Sequence, residues 1–75
     1  MHLFRIDGLT QESAAILRRA VAAQEPRLRI ETDLSRGLVA AEGASGPEIE
    51  RALQTAAAEA GVTYRGPIAP HHDTP

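Results

Sequence analysis

Residues able to hold or transform a ligand are few in this sequence and sit in two places. His2 near one end and His71, His72 and Asp73 near the other are the concentrated set of nitrogen and oxygen donors. Neutral imidazoles with a carboxylate suit Zn(II) or Cu(II) better than Cu(I), which favours sulfur. The second place is Thr10-Gln11-Glu12-Ser13-Ala14. Its hydroxyls and amide are hard, weak metal ligands, but they are good partners for the start of a helix. The chain contains no cysteine, so it can form neither a thiolate site nor a disulfide.

Catalysis is not expected. A serine–histidine–acid arrangement has no support, because the histidines stand at the extreme ends. A phosphate-cradling loop after the first strand would need several backbone donors and an arginine. Asp7-Gly8-Leu9-Thr10 offers one glycine, no arginine and a carboxylate that repels phosphate. Arg5 is close in sequence but belongs to the opposite face of its strand. Nucleic acid is not an expected partner either. All eight basic residues are arginines, set against ten acids for a net charge of −2, and Phe4 and Tyr64 are the only aromatics outside histidine. Neither a clustered positive surface nor a stacking platform can be assembled from these.

The elements that must carry these groups follow from periodicity. Residues His2 to Asp7 alternate as a strand, with Phe4 and Ile6 on one face and Leu3, Arg5 and Asp7 on the other. Gly8 ends it. Thr10 reads as an N-cap, and Ile16, Leu17, Ala20 and Val21 recur at helical spacing, with Arg18, Arg19 and Gln24 toward water and Pro26 closing the helix. Leu28, Ile30 and Thr32 alternate with Arg29, Glu31 and Asp33. A turn through Gly37 then leads to Val39 and Ala41, which makes a hairpin. After a loop from Gly43 to Pro47, a second helix carries Ile49, Ala52, Leu53, Ala56, Ala57 and Ala60. Gly61 stops it and Val62 to Arg65 form a last strand.

This order predicts an α+β, ferredoxin-like βαββαβ sandwich with a four-stranded antiparallel sheet and two helices on one face. The domain is expected over residues 1–66, with residues 67–75 an extended tail containing proline and histidine. At 75 residues, 43% hydrophobic and 24% charged, the chain has room for one modest core. It has no apolar run of membrane-spanning or signal-peptide length, so a cytoplasmic protein without membrane insertion is expected.

Four ordered pieces carry a resemblance. Phe4-Arg5-Ile6-Asp7-Gly8-Leu9-Thr10 resembles the F-x-V-x-G-M-T that opens heavy-metal-associated domains, with Leu9 in place of methionine. Ile30-Glu31-Thr32-Asp33-Leu34 resembles their V-x-V-D-L, and Gly37-Leu38-Val39-Ala40-Ala41-Glu42-Gly43 their G-x-V-x-V-x-G. Glu48-Ile49-Glu50-Arg51-Ala52-Leu53 with Ala60-Gly61-Val62 resembles their E-I-x-x-A-I helix and closing A-G-Y. The similarity spans about residues 3 to 62.

The resemblance implies a copper-chaperone-like domain of metal transport, in which two cysteines of G-M-T-C-x-x-C grip a soft cation. Here the cysteine positions are degenerate. Without a gap they fall on Gln11 and Ala14; with one residue deleted they fall on Thr10 and Ser13. Neither register supplies sulfur, so Cu(I) is not an expected cofactor. The resemblance then implies a binding or docking domain that associates with another protein, such as a metal transporter domain, or with itself. Arg18, Arg19, Arg27 and Arg29 against Glu42, Glu48, Glu50 and Glu59 would supply complementary surfaces. Two alternatives stay open: a carrier using His2, His71, His72 and Asp73 for Zn(II) or Cu(II), and a small-ligand regulatory domain of ferredoxin-like fold.

Overall fold

The computed structural model describes residues 2–68. Its elements run β1 (His2–Asp7), α1 (Gln11–Gln24), β2 (Arg29–Asp33), β3 (Leu38–Glu42), α2 (Gly46–Ala60) and β4 (Thr63–Ile68). The sheet order is β2-β3-β1-β4 with every neighbouring pair antiparallel, so β1 is a central strand and β2 and β4 are edges. Both connections that contain a helix skip a strand, which is the split βαβ topology expected from the sequence. His71, His72 and Asp73 lie outside the described residues.

The alternation along β1 builds the core. Phe4 and Ile6 are buried, and Val39 and Ala41 of β3 lie beside them on the same face. Leu17 and Val21 of α1 and Ile49 and Leu53 of α2 close the layer from above. Ala20, Ala52, Ala56 and Ala57 also belong to this cluster, so small side chains line much of the ground between the helices. Alanine helps the helices form but contributes little apolar area to bury. The helices gain a polar tie as well. Gln24, expected to face only water, donates from Nε2 to the Ala52 carbonyl at 3.1 Å and to the Ala20 carbonyl at 3.4 Å.

Two glycines are required by backbone geometry. Gly61 takes φ 74° as the left-handed cap of α2, and the Val62 N–H returns to the Ala57 carbonyl at 3.0 Å. Gly43, at φ 109°, lies so close to Arg27 that a Cβ there would collide with its carbonyl. That approach seats the end of the hairpin against the segment entering β2.

Two expectations need correction. Ile16 shares the helical spacing of the α1 core residues, yet it is 39% exposed. Its position on the helix falls to one flank of the stripe formed by Ala14, Leu17, Ala20 and Val21. The last strand also continues past Arg65, through Gly66 and Pro67 to Ile68. An irregularity between Arg5 and Ile6 lets the longer strand stay paired, leaving Arg65 as the extra residue between the Arg5–Gly66 and Ile6–Tyr64 pairs. Proline is tolerated there because β4 is an edge whose outer N–H groups need no partner in the sheet.

Tyr64 packs its ring 6.2 Å from that of Phe4, and its hydroxyl is buried with no hydrogen-bond partner among the described residues. Burial first, and then the negative charge of Glu50, raise its pKa above the ordinary value of 10.0. The folded state therefore keeps this proton to higher pH than the unfolded chain does. Stability is full below the ordinary tyrosine value and is lost as pH rises from there through the folded value. Because the chain has one tyrosine, an absorbance titration reads it directly. A midpoint above 10 is expected, lowered by Glu50→Gln. Tyr64→Phe should be neutral or stabilising in urea denaturation, since it removes an unsatisfied hydroxyl.

Candidate functional site

The loop from β1 into α1 is where the sequence resemblance places metal ligands. β1 delivers the chain to Gly8, and Leu9 packs partly buried against the core, which fixes the approach to Thr10. Thr10 has extended backbone at φ −130° and ψ 175° and is the N-cap of α1. Ser13 therefore falls at the third helical position, and the two hydroxyls face each other at 3.2 Å.

Most of their hydrogen-bond capacity is spent within the loop, all of it in the case of Ser13. The Thr10 N–H donates to Ser13 Oγ at 2.7 Å, and the Ser13 N–H donates to Thr10 Oγ1 at 3.1 Å, which closes a reciprocal capping box. The Thr10 hydroxyl donates to Ser13 Oγ at 3.2 Å. Carbonyl oxygens of Gly8 and Thr10 lie 3.4 and 3.3 Å from Ser13 Oγ to receive its own proton. A serine hydroxyl offers one donor and two acceptor positions, and all three are occupied. Ser13 is also buried. Binding a cation there would require giving up bonds that start the helix, and the cation would receive a neutral oxygen in return.

Of the two registers, only Thr10 and Ser13 form a pair. Gln11 is exposed, whereas Ala14 is 2% exposed and faces the core, so that couple shares no surface. The helix start is served by the oxygen chemistry of Thr10 and Ser13, with Glu12 placing negative charge in the first turn.

Of the terminal donors, His2 lies among the described residues, at the other pole. His2 starts β1, is exposed, and stacks with Phe4 at a centroid distance of 6.4 Å. Its ring edge runs beside the first turn of α2, with Cε1 3.6 Å from where a Gly46 Cβ would stand. Among the described residues no three metal-ligating side chains of the His, Cys, Asp and Glu type come together.

The charged faces are partly absorbed by structure. Arg18 Nη1 reaches the Thr32 hydroxyl at 3.4 Å, while Arg19, Arg27 and Arg29 are exposed. On the acidic side, Glu48 belongs to a second capping box. The Ser45 N–H donates to its Oε1 at 3.2 Å, and its own N–H donates to Ser45 Oγ at 3.4 Å. That role is readable from Ser45-x-x-Glu48, a capping signature. Glu42 and Glu59 are exposed and Glu50 is half-buried.

No protein-family profile matches the chain. No curated protein matches it either. In structure it is similar to the copper chaperone Atx1 from Synechocystis PCC6803 in its Cu2 form, with a TM-score of 0.70 and 23% sequence identity over 84% of this chain and 97% of that one. The likeness establishes the ferredoxin-like βαββαβ fold. Among the described residues no helix is long and apolar enough to cross a membrane.

The hydroxyl network sets a stability expectation. Ser13→Ala leaves the Thr10 N–H without its side-chain acceptor and should cost about 1–2 kcal/mol in urea denaturation. Gln11→Ala, one turn position away and exposed, should stay within about 0.5 kcal/mol of the parent. Equal effects of the two substitutions would show that the box does not hold the helix start.

Proposed function

We propose that this chain is a metallochaperone-type binding and docking domain without a thiolate site, acting through protein association in a metal-transport or metal-homeostasis setting in the cytoplasm. The observation that carries the reading is the Thr10–Ser13 pair. It stands at the helix start where the resemblance places two cysteines, and its hydroxyls are engaged in a capping box, that of Ser13 fully. The similarity to a copper chaperone over 97% of that protein's length supports the same reading. The partner we propose is another protein, a metal transporter domain or a second copy, and the role is binding rather than catalysis.

A second reading has one observation in its favour. Ile68 pairs with Leu3, so the chain leaves β4 beside the start of β1, three residues before His71. In this reading His2, His71, His72 and Asp73 would hold Zn(II) or Cu(II), at the pole opposite the Thr10–Ser13 loop.

Competition with a strong Cu(I) chelator tests the first reading. The parent chain is expected to take no Cu(I), whereas Thr10→Cys/Ser13→Cys, which restores soft donors at the juxtaposed pair, should gain it. Stoichiometric uptake by the parent would overturn the proposal. Zn(II) or Cu(II) binding that vanishes in His71→Ala/His72→Ala would establish the second reading in its place.

A further inference from the structure

The sheet face turned away from the helices has an order that the docking reading alone does not require. Its central strands carry Leu3 and Arg5 from β1 and Leu38 and Ala40 from β3, in the registers Leu3↔Ala40 and Arg5↔Leu38. Leu3 is 40% exposed, and Leu34, in the β2–β3 turn, is 37% exposed. Ile68 of β4 is half-buried beside Leu3. Leu3, Leu34, Leu38 and Ala40 line an open hollow of about 580 Å³ whose β2 side is polar, with Glu31 and the Asp33–Arg36 pair.

Charge is distributed laterally across this face. Most of its ions already have opposite neighbours. Arg65 Nε meets Asp7 Oδ2 at 3.0 Å and Arg36 Nε meets Asp33 Oδ2 at 3.7 Å, while Arg29 stands directly opposite Glu42 in the β2–β3 register. Glu31 on β2 and Arg5 on β1 form no salt bridge among the described residues. They are two strands apart in the order β2-β3-β1-β4, about 10 Å at ordinary strand spacing, with the apolar band between them.

A surface with one acid outside any salt bridge on one side of an apolar strand and one such base on the other is self-complementary under a two-fold axis parallel to the strands. Such an axis sets β2 over β4 and β3 over β1 of the second copy. It brings Leu3 against Ala40 of that copy and lays the aliphatic stem of Arg5 on its Leu38, which leaves Glu31 one strand and two residues, about 8 Å in the plane of the sheet, from its Arg5, twice over by symmetry. We infer that the open sheet face is a self-association surface, closed by Leu3, Leu38 and Ala40 and oriented by reciprocal Glu31–Arg5 pairs. This deepens the docking reading and rests on it for the kind of work the domain does. The edges are less suited. β4 carries Pro67 and a register irregularity, and two β2 strands pairing about their centre would set Glu31 against Glu31.

The face is small. Four strands and five residues give about 19 Å by about 17 Å, below the standard interface of about 800 Å² per partner. The association belongs to the weak, transient class, to be measured from tens of micromolar to about 1 mM.

Sedimentation equilibrium and dilution-dependent NMR shifts test the assignment, with circular dichroism and thermal melts to confirm that each variant folds. The parent should dimerise, with shifts concentrated at Leu3, Leu38 and Ala40. Leu3→Ser, Glu31→Arg and Arg5→Glu should each weaken dimerisation about tenfold or more. Mixing Glu31→Arg with Arg5→Glu should restore association to near the parental level, because each cross-copy contact then joins opposite charges. A parent that stays monomeric at 1 mM, association untouched by Leu3→Ser, or a mixture no tighter than either variant alone would overturn the surface assignment. A monomer that also takes no Cu(I) from the chelator would leave the docking reading standing, whereas Cu(I) uptake would remove that reading whatever the oligomeric state.

Discussion

A strand shows successive side chains to opposite faces, and β1 uses that two-residue period to position every feature with functional content. Phe4 and Ile6 go under the helices, so Leu3 and Arg5 must stand on the open face. Because β1 is central, with β3 on one side and β4 on the other, its register is fixed from both flanks. Its C-terminal end then delivers Gly8 to the start of α1, and its N-terminal end holds His2 beside α2. A slip of one residue would exchange the faces, burying Arg5 and exposing Phe4, which the small core could not absorb.

At the end of that strand, donor chemistry decides between cargo and structure. Two hydroxyls 3.2 Å apart could be taken for a binding site from spacing alone. Their hydrogen bonds point to a helix cap, since the Thr10 N–H, the Thr10 hydroxyl and the loop carbonyls together occupy every position on Ser13. The same loop–helix geometry supports a soft-metal site when it presents sulfur and a helix cap when it presents oxygen. Hence similarity of fold to a copper chaperone, even over nearly all of that chain, does not carry copper chemistry with it.

The helical layer explains why a chain with so few large apolar residues folds at all. Alanines between α1 and α2 permit close approach, both helices begin with a complete capping box, and Gln24 ties one backbone to the other. Local satisfaction of polar groups thus supplements a core whose large members are Phe4, Ile6, Leu17, Ile49, Leu53, Val21 and Val39. The Tyr64 hydroxyl, without a partner among the described residues, is the exception, set beneath the helices by the strand that must also accommodate the irregularity at Arg65.

Properties written in nearest-neighbour patterns were legible from the residues themselves. The order of six elements, the inward faces of β1 and β3, Thr10 as N-cap and Gly61 as helix stop all depend on periods of 2 and 3.6 or on one residue's backbone preference. The absence of cysteine was legible too, as a matter of composition. Tertiary structure alone decided the rest. Ile16 lies outside the core because burial on a helix depends on where its neighbours sit, which a periodic pattern fixes only to within a flank. Gly66 and Pro67 join a strand because an edge tolerates what a central position would not. Thr10 and Ser13, rather than Gln11 and Ala14, became the facing pair because the turn at Gly8 and the packing of Leu9 set the phase of α1. That Glu31 and Arg5 form no salt bridge among the described residues while Asp7 and Arg65 do is a matter of long-range side-chain contacts, which the order of elements does not fix.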